Sequence, residues 1–314
     1  PGVTGAGGAQ ALAKQGWPCA GRRVVVAGSG PLLLATAATL RRHGARVLGI
    51  HEQATRRQVA AFAAGLWRWP ARIGQALRLK AALAGVPWRC ASSVTRALGA
   101  TRLEAVEISD ARGRHEVACE QLAVGYGLVP NVELAVLLGC ALDTTGTHPR
   151  VRADARLATS VPGIYAAGEA LGIGGLDCAR IEGALAGAAA AGAEPDARAY
   201  ARRRHTRAFA AHLAAGFALD PRLHALAEPG TVICRCEDVT LGALTACHDA
   251  RGARLATRCG MGACQGRICG AALAELDHFA RGGLGRPPVF PARLATLAAF
   301  SPADPASIVD EVES

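Results

Sequence analysis

The 314-residue sequence predicts an α/β protein with a parallel sheet, followed by a small helical module rich in cysteine. A buried-strand pattern at residues 22–27 runs into a glycine turn, a helix and a second apolar strand at residues 46–50, which is the start of a βαβ unit. Further along, five of the eleven cysteines fall within two short segments, residues 231–240 and 257–270. The chain is 51% hydrophobic, so it can bury a substantial core, and its length suggests about two domains.

Composition and charge narrow the classes of function. The net charge of +10 comes mostly from arginines scattered along the chain, and the densest run, Arg202–Arg204, is interpreted as a solvated face. Docking of an acidic partner and steering of an anionic substrate are the alternative uses of this charge. No basic stretch is interleaved with aromatic residues, so nucleic-acid binding is not expected. No run of about 18 uncharged apolar residues occurs, so no transmembrane helix is expected.

The glycine turn predicts a nucleotide-binding loop. Gly28 and Gly30 follow a strand and open a helix, where backbone amides can approach a pyrophosphate, and Pro31 suits a helix start. The third glycine of the G-x-G-x-x-G fingerprint is missing. Glu52 lies 22 residues after Gly30, at the end of the second strand, where an acid accepts both ribose hydroxyls. We therefore predict a Rossmann unit that holds ATP or NAD, with a purely architectural unit as the alternative.

A later segment is typical of a flavin-binding turn. Residues 160–168 predict a strand that ends at Gly168, followed by Glu169 and a helix of small residues. In two-dinucleotide flavoproteins such a turn brings an acid to the flavin ribitol, although Asp is usual where Glu169 stands. Residues 123–131 are similar to the segment by which those chains cross back to the flavin domain. An ordinary strand and loop is the alternative interpretation.

The cysteine pattern favours an iron–sulfur cluster. One residue separates Cys234 from Cys236, and 22 residues lie between Cys236 and Cys259. Cys264 and Cys269 follow, each with four residues between it and the cysteine before it. Nothing marks the chain as secreted, so disulfides are not expected. A tetrahedral zinc site usually has C-x₂₋₄-C knuckles, whereas a [2Fe–2S] cluster needs four thiolates. We predict Cys234, Cys236, Cys259 and Cys264 as ligands and Cys269 as a small buried residue. Zinc and plain structural thiols are the alternatives.

Four stretches together resemble one known family: "VVVAGSGPLLLATAATL", "VGYGLVPNVELAVLLGC", "YAAGEALGIGG" and "ICRCEDVT…TRCGMGACQGRICG". It comprises the larger FAD/[2Fe–2S] subunits of heteromeric bacterial amine dehydrogenases, such as octopine and nopaline oxidase, D-hydroxyproline dehydrogenase, dye-linked proline dehydrogenase and the middle subunit of hydrogen cyanide synthase. The cysteine module resembles bacterioferritin-associated ferredoxin (BFD). Cys259 and Cys264 are spaced more widely than in that small ferredoxin, as they are in the larger subunits.

The resemblance implies a two-dinucleotide-binding flavoprotein fold that lacks its N-terminal FAD loop, joined to a BFD-like [2Fe–2S] module. Because the family begins with its own glycine loop for FAD, the chain is expected to be a fragment or one half of a split protein, with an incomplete FAD site. The expected divisions are a remnant of the FAD domain at 1–20, an NAD-type Rossmann domain at 21–120, the return segment at 121–195, a helical linker at 196–229, the cluster domain at 230–282 and a tail at 283–314.

The function that the resemblance implies is electron transfer. A partner FAD-dependent amine or opine oxidase (beta) subunit would oxidise an amine, opine or imino acid, and this chain would relay the electrons through [2Fe–2S] and FAD to a quinone-type acceptor. A small ferredoxin-like subunit is a second candidate partner. The expected location is the cytoplasm, with peripheral contact at the inner face of the membrane as a further candidate. An NADH-dependent flavin and iron–sulfur reductase and a non-catalytic cluster-binding scaffold or regulator are the alternatives. No residue is assigned as catalytic.

Overall fold

In the computed structural model, which describes residues 1–194, 197–277 and 293–298, the chain forms two compact units. The first comprises residues 1–130 and 153–228, and the second comprises 131–152 and the described residues from 229 onward. The predicted tail at 283–314 lies outside the described residues apart from 293–298, as does the end of the predicted cluster domain at 278–282. The α/β class is confirmed, while the finer domain divisions stay predictions.

The described residues form strands, α-helices and short 3₁₀ turns. The strands are β1 (Val3–Gly5), β2 (Arg23–Gly28), β3 (Arg46–Glu52), β4 (Trp88–Cys90), β5 (Ser93–Leu98), β6 (Ala105–Asp110), β7 (Gly113–Ala118), β8 (Gln121–Gly125), β9 (Leu142–Asp143), β10 (Arg150–Val151), β11 (Val232–Cys234) and β12 (Val239–Thr240). The helices are α1 (Ala6–Lys14), α2 (Leu32–Arg42), α3 (Arg56–Gly65), α4 (Pro70–Ala82), α5 (Glu133–Leu137), α6 (Leu176–Ala190), α7 (Ala197–Gly216), α8 (Leu241–Leu244), α9 (Ala250–Thr257), α10 (Cys269–Glu275) and α11 (Leu294–Ala298). Short 3₁₀ turns occupy Leu66–Arg68, Gly168–Leu171 and Pro221–Leu226.

The first unit is built on a five-stranded parallel sheet in the order β1-β8-β2-β3-β4. Alternate residues of β2 face two separate cores. Val24 and Val26 pack against α2 through residues such as Leu40, whereas Val25 packs with Ile108 of the antiparallel sheet β5-β6-β7. The strand is apolar throughout because it is buried on both faces, as parallel strands usually are. The predicted βαβ unit is thereby confirmed.

Residues 55–85, which have the apolar pattern of one continuous helix, form two helices. Thr55 begins α3 with a capping box that it forms with Gln58. The helix ends at Gly65, a 3₁₀ turn follows, and Pro70 then opens α4 at its first position, where a missing N–H is tolerated. Glycine and proline therefore break a stretch whose apolar pattern alone reads as continuous.

The strand predicted at 160–168 is wrong. That segment makes one isolated bridge, between Ala158 and Tyr165, and further backbone hydrogen bonds in and around it are local. The amide of Thr159 donates to the carbonyl of Ile164, and that of Ala166 donates to Leu157. The apolar run at residues 164–167 suits a strand, but a strand also needs a neighbouring edge to pair with. Within the part of the chain that the structure describes, this segment closes on itself instead.

The second unit is a small module around two antiparallel pairs, β9 with β10 and β11 with β12. Its core combines aliphatic side chains with cysteines: Ile233, Cys234, Val239, Leu244, Ala253, Cys259, Cys269 and Leu273. None of the helices in the described residues is long and apolar enough to cross a membrane.

Candidate functional sites

The glycine loop lies where three neighbouring strands end. Gly28, the last residue of β2, pairs with Gly125 of β8 on one side and with Glu52 of β3 on the other. A Cβ on Gly28 would overlap the carbonyl oxygen of Gly125, and its φ is 148°, so glycine is required there. The amide of Ser29 donates to the same carbonyl at 2.8 Å, and Pro31 leads into α2. This is the strand–loop–helix arrangement that the sequence predicts.

Glu52 bonds to the protein's own backbone. It is 1% exposed, Oε2 accepts from the amide of Gly30 at 2.7 Å, and Oε1 accepts from the amide of Ala54 at 2.9 Å. Burial raises the pKa of this carboxyl, and the two amide hydrogen bonds oppose that rise. Oε2 therefore bonds to the glycine loop, while Oε1 bonds to the backbone that follows β3. The nucleotide contacts predicted for Glu52 and for Gly28, Gly30 and Pro31 stay predictions.

The turn at Gly168 and Glu169 holds a carboxylate oxygen without a partner. Gly168 has a φ of 76° and begins a 3₁₀ turn. Oε1 of Glu169 accepts from the amide of Gly175 at 2.8 Å, whereas Oε2 is buried and has no hydrogen-bond partner among the described residues. A buried, unpaired carboxylate oxygen is costly, so a donor is expected at this position. A hydroxyl group of a ligand would satisfy it.

A buried charge cluster holds this turn in place. Glu182 of α6 is fully buried and accepts from the amide of Gly168 at 2.9 Å. It also accepts from Nε of Arg203 at 2.9 Å, and from Nε and Nη2 of Arg207 at 2.8 and 2.7 Å. Arg207 in turn donates to the carbonyls of Gly172 at 2.6 Å and Gly168 at 3.2 Å. Both ends of the turn are thus tied to α6 and α7 through one ion-pair cluster.

Sequence reasoning misses this cluster. The run Arg202–Arg204 is expected to be a solvated face, but the side chain of Arg203 is 23% exposed and pairs with Glu182. The available signal is the spacing: Arg203 and Arg207 are four residues apart on one helix, so they share a face. A sequence does not show which buried acid such a face meets, because that depends on how α6 and α7 pack together.

Three buried cysteines of the second unit form a compact group. The sulfur atoms of Cys234, Cys259 and Cys269 lie within 4.8 Å of one another, and all three residues are buried. Cys234 ends β11, Cys259 follows the left-handed residue Arg258 that terminates α9, and Cys269 begins α10. Cys269, predicted as a small buried residue, is therefore adjacent to two of the predicted ligands.

The other two cysteines form a pair of their own. The side chains of Cys236 and Cys264 are within hydrogen-bonding reach of each other. A Cβ on Gly262 would overlap the Cβ of Cys236, so the glycine-rich turn lets these groups approach. Beside them Nε of Arg258 donates to Glu237 at 2.8 Å. The predicted ligand set of Cys234, Cys236, Cys259 and Cys264 thus divides between the group of three and this pair, and it stays a prediction.

The environment separates the acidities of these thiols. Burial raises the pKa of Cys259, and the neighbouring Cys234 raises it further. Burial and the nearby Cys259 and Cys234 also raise the pKa of Cys269, because a second negative charge is unfavourable there. Burial acts in the same direction on Cys264, but the amides of Ile268, Gly266 and Arg267 outweigh it, and the pKa of this thiol falls. Crowded thiols of this kind suit a soft cation or cluster, which binds them as thiolates.

These features together define a nucleotide-binding oxidoreductase fold with an attached cysteine module. Residues 3–193 match the family model described as pyridine nucleotide-disulphide oxidoreductase. The chain belongs to this family, and it is an oxidoreductase.

Two relatives confirm the resemblance found in the sequence. The chain is 33% identical to the A subunit of opine oxidase from Rhizobium meliloti (strain 1021), over 95% of this chain and 71% of that protein. It is 31% identical to hydrogen cyanide synthase subunit HcnB of Pseudomonas aeruginosa, over 86% of this chain and 64% of that protein. The chain thus spans 71% of the length of the first relative and 64% of the length of the second.

A solved structure agrees with the fold. L-proline dehydrogenase from P. horikoshii aligns with a TM-score of 0.58 and 20% identity, over 95% of this chain and 54% of that one. At this identity the likeness speaks for the fold, and the two-dinucleotide-binding class predicted from the sequence is confirmed.

Proposed function

We propose that this chain is an electron-transfer subunit of a heteromeric FAD- and [2Fe–2S]-dependent oxidoreductase. A partner flavoprotein of the amine or opine oxidase type oxidises an amine, opine or imino acid, and this chain passes the electrons towards a quinone-type acceptor. Relatives named as subunits of opine oxidase and hydrogen cyanide synthase support a role within a larger enzyme. We place the complex in the cytoplasm, with the inner face of the membrane as the site of a quinone-type acceptor.

The observation that carries the proposal is the gathering of five thiols in one small unit. Three sulfurs within 4.8 Å and a neighbouring thiol pair offer more soft donors than the four that a [2Fe–2S] cluster requires. Gly262 leaves the space in which Cys236 approaches the turn. The donor set therefore fits the group. Such a cluster takes up and releases electrons at a potential set by its hydrogen bonds and exposure.

The protein's own residues would tune that potential. The amides of Gly266, Arg267 and Ile268 point to the sulfur of Cys264, where they stabilise negative charge. The ion pair of Arg258 with Glu237 neutralises a cation beside Cys236. Cys234, Cys259 and Cys269 are at most 4% exposed, which keeps water from this side of the site.

FAD is the second cofactor that we propose, with Gly168 and Glu169 as its contacts in this chain. The unpartnered Oε2 of Glu169 fits a donor hydroxyl of the ribitol. The cluster formed by Glu182, Arg203 and Arg207 holds the turn on which Glu169 is carried. The rest of a flavin site would come from a further segment.

The cluster is tested first. The full chain, purified without oxygen, is expected to contain about two irons and two acid-labile sulfides per chain, and to give an EPR signal after reduction with dithionite. Stoichiometric zinc without iron would overturn the assignment. The relay is tested next, by mixing this chain with its amine-oxidising partner. Adding the amine is expected to produce the same EPR signal. If the substrate is turned over while the cluster stays oxidised, the proposed electron relay is wrong.

The ligand set is tested by five separate Cys→Ser variants. The predicted set requires Cys234, Cys236, Cys259 and Cys264, so Cys269→Ser is expected to keep the signal. If the signal is lost in Cys269→Ser and kept in Cys259→Ser, Cys269 replaces Cys259 in the ligand set. The rhombic g-values and the iron content separate a lost cluster from a distorted one.

A further inference from the structure

The glycine loop of the first unit faces a segment of the same chain. Residues 217–220 follow the end of α7, and the phenyl ring of Phe217 covers Gly30. A Cβ built on Gly30 would lie 3.5 Å from that ring. In a Rossmann unit the bare face of such a glycine is where a pyrophosphate approaches the backbone. An aromatic ring therefore stands where the phosphates would lie.

Hydrogen bonds join this segment to the ends of two strands. The hydroxyl of Ser29 donates to the carbonyl of Phe217 at 2.9 Å. Nε2 of Gln53, which follows β3, donates to the carbonyl of Ala218 at 2.8 Å and to the hydroxyl of Ser29 at 2.9 Å. Its Oε1 accepts from the amide of Asp220 at 3.1 Å. Gln53, the residue at the centre of this network, is itself buried, with 6% of its surface exposed.

The residues that would recognise the nucleotide are already engaged. Glu52, the predicted ribose acceptor, uses both carboxylate oxygens on the amides of Gly30 and Ala54. The Gly30 amide, a predicted pyrophosphate donor, is thereby occupied as well. Because these groups are buried and paired, a nucleotide would have to break their hydrogen bonds in order to bind.

Aromatic packing holds the segment down. Phe217 meets Phe62 of α3 edge to face at 4.9 Å, and His212 stacks on Phe62 at 4.8 Å. Nε2 of His212 also donates to the carbonyl of Phe62 at 3.0 Å. Trp69 stacks on His212 at 5.4 Å from the other side. This continuous cluster fixes the end of α7 over the loop.

We propose that Phe217–Asp220 fills the phosphate-binding position of the Rossmann crevice and thereby excludes ATP and NAD(H) from the Gly28–Gly30 loop. The FAD contacts proposed at Gly168 and Glu169 lie on a different turn and are not affected. The inference stands independently of the proposed relay, because a relay needs no nucleotide at this loop. It does separate the relay from an NADH-dependent reductase, which must admit NADH here.

Binding of NADH and of ATP to the full chain is measured by titration calorimetry, and bound nucleotide is sought by releasing it from the purified protein with acid. No binding is expected up to about 1 mM, the upper end of common substrate affinities. Copurification of ATP or NAD(H) with the wild-type chain, or binding of NADH or ATP in the micromolar range, would overturn the inference, whereas copurifying FAD belongs to the other proposed site and does not bear on it.

Two Phe→Ala variants make the test specific, one at Phe217 directly after α7 and one at Phe209 within it. Phe217→Ala uncovers Gly30. The dissociation constant for ATP is expected to fall at least about tenfold, because a larger fraction of the protein then has the glycine loop open for binding. Phe209→Ala is the matched control, since that ring packs on Trp69 at 5.4 Å and leaves the loop covered. An equal gain in both variants, or no gain in a folded Phe217→Ala, contradicts the inference. If Phe217→Ala does not fold, Gln53→Ala removes the hydrogen bonds instead, and the same gain is expected.

Discussion

Replacing Glu182 with glutamine removes one buried negative charge and leaves the shape of the side chain. Four hydrogen bonds converge on this carboxylate, from the Gly168 amide and from the guanidinium groups of Arg203 and Arg207. Its side chain is 0% exposed, and the two arginine side chains are 23% and 25% exposed. Breaking a buried ion pair by removing one partner typically costs about 3–5 kcal/mol. Since both guanidinium groups keep some contact with water, we expect Glu182→Gln to lower the free energy of unfolding by about 3 kcal/mol.

Urea denaturation followed by tryptophan fluorescence measures this loss for the first unit alone. All four tryptophans, Trp17, Trp67, Trp69 and Trp88, belong to that unit. Glu120→Gln is the matched control. It makes the same chemical change in the same unit, but Glu120 and its partner Arg23 are each 43% exposed. An exposed pair of this kind is worth about 0–1 kcal/mol.

The reasoning fails if Glu182→Gln costs no more than Glu120→Gln. A second measurement identifies the cause, because Arg207→Gln combined with Glu182→Gln forms a double-mutant cycle. Coupling of at least about 1 kcal/mol is expected between two groups in direct contact. Additive losses would mean that packing, and not the charge cluster, holds the Gly168 turn.

Three further results are expected. Cys236→Ser should abolish the EPR signal of the reduced chain, while Cys247→Ser, outside the predicted ligand set, should keep it; a full signal in the first variant rejects that ligand. Burial is the main cause that lowers the pKa of His51 from 6.5 to about 4; Arg89 and His115 contribute to this fall, and Asp110 opposes it. Between about pH 4 and pH 6.5 the folded state therefore binds fewer protons than the unfolded chain. Stability is therefore complete above pH 6.5 and falls by at most about 3 kcal/mol as the pH drops to about 4; urea titrations across this range should lose that slope in His51→Gln, and an unchanged slope contradicts the assignment. Gly28→Ala should cost more than about 2 kcal/mol, because its Cβ would overlap Gly125, whereas Gly127→Ala, with a similar φ of 157° and open space, should cost about 1 kcal/mol; equal midpoints in thermal unfolding would remove the steric explanation.

Local signals predict the elements around the glycine loop well. The apolar run of β2 is confirmed because a strand buried on both faces must be apolar at every position. The hairpin between β6 and β7 turns between Asp110 and Gly113, where polar residues and a glycine are local signals of a turn. The strand predicted at 160–168 is wrong because an apolar run does not supply the neighbouring edge with which a strand pairs.

The candidate sites are less predictable from the sequence than the elements that carry them. Cysteine spacing indicates a metal or cluster module, but the adjacency of Cys269 to Cys234 depends on how α10 packs against β11. Likewise, the position of Glu52 at a strand end suggests a ribose contact, while its partners in the structure are the backbone amides of Gly30 and Ala54. Each of these contacts joins residues whose approach depends on the packing of whole elements.

The sequence by itself determined the βαβ unit, its glycine loop, the cysteine-rich module and the family to which the chain belongs. Those features follow from periodicity and from residue types at short, local spacing. Only the tertiary structure decided what lies against the loop and the turn: Phe217 over Gly30, and Arg207 with Glu182 around Gly168. The physical reason is that Phe217 contacts residues nearly 190 positions away in the chain, and a contact of that kind is specified by the packing of α7 on α3 and α6, which local patterns do not contain.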